Sequence, residues 1–200
     1  MNKNYLLLII SIIIGLILIE FIIRFFYSQN VNLSQLDELR VYKNKPNTKS
    51  VLSRDEFSTK VQISRQGLRD REYSIEKPEN TTRIAVIGDS FVFGYGVEEN
   101  ETFVKLLKKE LNKKGIFEVM NFGENAYGTE QEYYVMQESL KYSPDLVVLA
   151  FFNNDIMDNI RFNLFRIEDN ELIANPKQDI TYTLMARNFM SQHSQLYSLV

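Results

Sequence analysis

The sequence predicts an α/β fold three layers deep, with helices on both faces of a parallel central sheet and one long apolar helix ahead of it. Two observations predict the sheet. Short apolar runs at residues 83–87, 117–120 and 146–152 are bounded by turn residues, the pattern of strands buried on both faces. Two segments with helical periodicity separate the runs, and strand-helix-strand-helix-strand at this spacing builds parallel βαβ units. A third observation predicts the leading helix: residues 5–19 are almost all Leu and Ile, broken only by Ser11 and Gly15.

The leading segment continues through Glu20 and Arg24, which sit i, i+4 among Phe21, Ile22, Ile23, Phe25, Phe26 and Tyr27. About 23 residues at roughly 1.5 Å each cross a hydrocarbon core of about 30 Å. Tyr5 and Tyr27 bracket the span where interfacial aromatics belong. The apolar run is long for a signal peptide and no small-x-small cleavage site follows, so an uncleaved anchor is expected, with a cleaved signal as the alternative. Lys3 ahead of the span places the N-terminus in the cytoplasm and the remainder in the periplasm or outside the cell. The expected organisation is an anchor over residues 1–28, a polar stalk over 29–59 and one folded domain over 60–200.

Composition narrows the function classes. The 200 residues are 44% hydrophobic with net charge −3, enough apolar material for one packed domain. The lysines of residues 105–114 lie among acidic neighbours and read as a solvated helix face, so no nucleic-acid partner is expected. With no cysteine, disulfides, thiolate metal sites and cysteine nucleophiles are excluded. There is one histidine, His193.

Along the domain, Val61-Gln62-Ile63-Ser64 alternates as a short strand ending at the Gln66-Gly67 turn. Arg83-Ile84-Ala85-Val86-Ile87 is the first buried strand. Phe103, Leu106, Leu107 and Leu111 form one stripe of a helix over 102–114, with Gly115 at its C′ position. A second strand spans 117–120. A second helix spans 129–141, with Thr129 and Glu132 in a capping-box pattern. The third strand spans 146–152. Residues 164–167 and 172–174 flank a polar turn as a hairpin, and 183–200 read as helical.

Sites in open α/β sheets form outside the carboxyl ends of the strands. There the sequence offers Gly88-Asp89-Ser90, then residues 121–129, then Asn153-Asn154-Asp155. A hydroxyl, small residues with exposable N–H groups and a carboxamide suit acyl transfer. Ser90 would attack a carbonyl carbon. Its own N–H, an N–H of the second loop and the Asn154 amide would hold the oxyanion. Asp89 would fix the turn through backbone N–H groups.

These three blocks, in order, resemble the SGNH (GDSL-type) hydrolase family. The carriers are Gly88-Asp89-Ser90, Asn121-Phe122-Gly123 with Ala126-Tyr127-Gly128-Thr129, and Asn154-Asp155. Residues 61–70, ending Gly67-Leu68-Arg69-Asp70, look like the segment preceding the hydrolase domain in membrane-anchored, extracytoplasmic members. The likeness spans roughly residues 60–160. It implies ester hydrolysis or acyl transfer by Ser90 with no metal or organic cofactor, on an acyl ester such as an O-acylated cell-envelope carbohydrate. It makes Ala126 or Gly128 the second oxyanion donor and Asp155 a supporting residue.

The chain departs from the family in two places. Phe152 stands where the third block usually has glycine and would narrow the pocket. The family's base is a histidine three residues after an aspartate, whereas Met190 lies three before His193, which reads as a surface or capping residue. The base and its aspartate are therefore expected in a longer protein, leaving this form inactive. A non-catalytic binding or scaffold protein on the same fold is the alternative. Glu98, Glu99 and Glu101 read as a solvated turn, and Asp155, Asp158 and Asp169 lack metal-ligand spacing.

Overall fold

A computed structural model describes residues 3–26 and 32–175. Helix α1 (Lys3–Phe26) exposes Leu and Ile around its circumference. Its segment Lys3–Ile23, with mean hydropathy 3.2, is long and apolar enough to cross a membrane, a test that a signal sequence also passes.

The described part of the expected stalk, residues 32–59, is folded into hairpins, and the strand expected over 61–64 begins earlier, at Phe57, and ends at Gln62. β1 (Ser34–Asp37) pairs antiparallel with β2 (Val41–Asn44), and β3 (Lys49–Arg54) with β4 (Phe57–Gln62). Arg40 and Asn44 of the first hairpin bond to the domain. The Asn44 N–H donates to Glu124 Oε1 at 2.9 Å, Gln131 Nε2 donates to the Arg40 carbonyl at 2.8 Å, and Arg40 pairs with Glu138 at 2.9 Å. Polarity alone cannot separate a solvated linker from a layer docked through polar contacts.

The central sheet has three described strands, β5 (Thr82–Gly88), β6 (Phe117–Gly123) and β7 (Leu146–Ala150), in the order β6-β5-β7 and parallel throughout. Alternation along β5 builds the layers. Ile84 and Val86 face Val104, Leu107 and Leu111 of helix α3 (Phe103–Leu111), whereas Ala85 and Ile87 face Val135 and Met136 of helix α4 (Thr129–Ser139). Helix α2 (Ser90–Phe93) leaves β5 directly, and a single 3-10 turn, Glu99–Glu101, precedes α3.

Two helix ends differ from expectation, and one helix was not expected. α3 stops at Leu111 with Asn112 as its C-cap, and Gly115 instead lies beneath the Phe117 ring, where a Cβ would come within 3.2 Å. α4 is capped one residue earlier than the Thr129–Glu132 pattern implies: Gln131 Oε1 accepts the Gly128 N–H at 3.2 Å. Helix α5 (Asp155–Phe162) has no sequence expectation, because its apolar residues Ile156, Met157 and Ile160 face outward. The hairpin is present as β8 (Phe165–Glu168) and β9 (Glu171–Ala174), joined through Asp169 and Asn170 at φ 51° and 62°. The helical expectation for 183–200, and His193 with it, lie outside the described residues.

Candidate active site

The three strands end level, because Gly88 is in register with both Gly123 and Ala150. The loops after them therefore open at one end of the sheet. Two glycines let α2 lie on the strand ends. A Cβ on Gly123 would fall 2.0 Å from the Phe93 nitrogen, and one on Gly88 would fall 2.4 Å from Val92 Cγ2.

Asp89 is the N-cap of α2, its Oδ1 accepting the Phe91 N–H at 2.9 Å, the turn-fixing arrangement that its position predicts. Ser90 is the first helical residue, half-buried, and its hydroxyl makes no hydrogen bond among the described residues. Asn154 reaches the same turn from behind β7: its Nδ2 donates to Asp89 Oδ2 at 3.2 Å and to Asp158 Oδ2 at 3.1 Å. The structure thus brings the Ser90 turn and the Asn154 carboxamide together, and carboxylates hold both amide hydrogens.

The two second-loop candidates separate. Ala126 is exposed at φ 56°, in the left-handed region that costs a residue with a Cβ roughly 1 kcal/mol or more. The Tyr42 hydroxyl donates to its carbonyl at 2.7 Å and to that of Asn125 at 2.9 Å, pinning this loop to the N-terminal hairpin. Gly128 is buried with its N–H committed to Gln131, so it offers no free oxyanion donor. A Cβ there would fall 2.4 Å from Asn159 Oδ1 and 2.7 Å from the Asp155 carbonyl, so its small size serves the packing of α4 against α5.

Asp155 Oδ2 accepts the Phe152 N–H at 3.0 Å, shaping the third loop, while its Oδ1 is buried without a partner. Burial, then Asp89 and Asp158, push its carboxyl upward. Phe152 packs against Phe91 with ring centroids 4.4 Å apart, leaving two exposed aromatic faces beside Ser90.

Sequence reasoning missed Glu132. Its side chain is buried with neither carboxylate oxygen bonded among the described residues. Burial pushes its carboxyl up to about 8, with Asp155 and Asp89 adding to the rise. The capping-box pattern gave Glu132 a surface role that Gln131 takes instead. No cluster of three or more His, Cys, Asp or Glu able to hold a metal occurs among the described residues.

A family model described as GDSL-like Lipase/Acylhydrolase matches residues 84–189. The chain belongs to that family, and its domain is of the hydrolase type. No curated protein matches the chain.

Proposed function

We propose that the protein is a serine ester hydrolase or acyltransferase acting outside the cytoplasm, with α1 as its membrane anchor and Ser90 as its nucleophile. The observation that carries this is the 3.2 Å contact between Asn154 Nδ2 and Asp89 Oδ2, which sets a carboxamide donor beside the serine turn. Attack of Ser90 Oγ on an ester carbonyl makes a tetrahedral oxyanion. The N–H groups of Ser90 and Ala126 and the Asn154 amide, once released from one carboxylate, are its donors. Serine needs a general base, which this reading places in residues outside those described. An O-acylated cell-envelope carbohydrate is the proposed substrate, and the exposed Phe91–Phe152 faces support it as a stacking surface for a sugar ring.

A second reading, a non-catalytic scaffold on the same fold, draws on the engagement of both Asn154 amide hydrogens by Asp89 and Asp158. Turnover of an aryl acetate and labelling by a fluorophosphonate separate the two. In the full-length protein, Ser90→Ala should abolish both while leaving the circular dichroism spectrum unchanged. Turnover surviving that substitution would sink the assignment of Ser90.

A further inference from the structure

Helix α2 is a single turn, too short to be stable by itself, and the nucleophile candidate is its first residue. What fixes its far end therefore fixes where the Ser90 hydroxyl lies. The last carbonyls of a helix lack partners within it. Here two side chains from other elements supply donors. Asn121 Nδ2 donates to the Val92 carbonyl at 2.8 Å. Arg69 Nη1 donates to the Phe93 and Gly94 carbonyls at 3.1 and 2.5 Å, and its Nη2 to the Val97 and Lys60 carbonyls at 2.7 and 3.3 Å. The guanidinium also stacks on the Phe93 ring, 5.1 Å from its centroid.

Arg69 is fully buried, and all its hydrogen-bond acceptors among the described residues are carbonyl oxygens. A permanently charged, fork-shaped donor set at the negative end of a one-turn helix suits that position better than any other side chain. Its neighbour Asp70 extends the brace. The Asp70 carboxylate accepts the Asn121 N–H and the Tyr73 hydroxyl, each at 3.0 Å, and pairs with Lys105 of α3. Residue 121 is thus seated by Asp70 while its side chain holds α2.

We propose that Arg69 is a positioning residue for Ser90: it clamps the C-terminal end of α2 and so sets where the nucleophile stands relative to Asn154. This rests on Ser90 being the nucleophile. Arg69 touches no reacting atom, so its loss should act on the chemical step and not on substrate binding. A misplacement of about 1 Å at a nucleophile lowers the rate roughly a hundredfold.

The test uses the full-length protein with an aryl acetate as substrate. Arg69→Lys keeps a charge and reaches fewer carbonyls; it should lower kcat roughly tenfold with KM unchanged. Arg69→Ala should lower kcat further, and millimolar guanidinium should restore part of it by occupying the vacated site. Amide exchange at residues 90–97 should accelerate in both variants. Arg83→Lys is the control: it weakens the buried ion pair to Glu118, 2.6 Å long at the opposite end of β5, and should lower stability while kcat stays at the wild-type value. Ser90-dependent turnover that Arg69→Lys and Arg69→Ala leave at wild-type kcat overturns the clamp alone. Turnover that persists in Ser90→Ala overturns the serine assignment and the clamp's role with it.

Discussion

The two outer strands of the central sheet, among the described residues, are finished in opposite ways. Along β6 two outward backbone groups and the Glu118 side chain meet side chains of the preceding segment. Asp70 accepts the Asn121 N–H at 3.0 Å, the Tyr73 hydroxyl donates to the Val119 carbonyl at 3.1 Å, and Arg71 pairs with Glu118 at 2.6 Å. From Glu118 onward every residue of β6 is buried. Along β7 no strand pairs with the outer edge among the described residues, and Leu146 and Leu149 are each 52% exposed on opposite faces. An open apolar edge is a liability that proteins cover or block. The hydroxyl and second-loop side of the site thus stands on a braced framework, and its Asn154 side on a half-covered one.

The contrast breaks most severely at Gly123. A methyl group there meets backbone atoms of Val92 and Phe93 at 2.5 and 2.0 Å, and backbone does not swing aside like a side chain. Gly123→Ala should cost about 3 kcal/mol or more, at the top of the overpacking range, and should displace α2. Urea unfolding measures the loss. A variant within 1 kcal/mol of wild type would mean that α2 is not pressed onto β6.

A smaller, pH-dependent effect sharpens the comparison at the site itself. Glu132 has a folded-state pKa near 8 against an ordinary 4.5, so the folded protein keeps a proton that the unfolded chain has released. Stability is then fully present below about 4.5 and falls as pH rises toward 8. Glu124, also raised to about 8 by burial, falls in the same window, although the Asn44 N–H and the Arg40 charge oppose its rise. Glu132→Gln removes its share. The variant should match wild type at pH 5 and melt several degrees higher at pH 8.5, at roughly 2–4 °C per kcal/mol for this size. Melting curves that stay parallel across that range would mean that Glu132 is ionised in the folded state.

Much of the braced half was legible in the sequence, because β5, β6 and the turn at Asp89 follow local rules: branched apolar runs, then an acidic N-cap. The placement of Ser90 and Asn154 at one sheet end followed from those runs. Long-range choices were not legible. Nothing local tells a stalk from hairpins whose Asn44 and Arg40 are spent on the domain, or which of Gln131 and Glu132 caps α4. Arg69 stood in a recognisable segment, but its role shows only when the fold brings four carbonyls around it. The apolar face of α5 points outward and so carried no core signal, and His193 lies beyond the described residues.

The mildest test compares one residue on each edge. Tyr73→Phe preserves shape and deletes a hydroxyl that donates toward Asp70 at 3.0 Å and the Val119 carbonyl at 3.1 Å. Asp70 keeps the Asn121 N–H and Lys105, but the Val119 carbonyl loses this donor, and a buried acceptor left without a donor costs about 1–3 kcal/mol. Leu149→Thr on the opposite edge replaces a half-exposed apolar side chain with one suited to strands, and surface substitutions of this kind stay within about 0.5 kcal/mol. Urea midpoints should therefore fall clearly for Tyr73→Phe and hardly move for Leu149→Thr. Equal losses would mean that β7 is covered as closely as β6, and the framework under Asn154 would then be as firm as the one under Ser90.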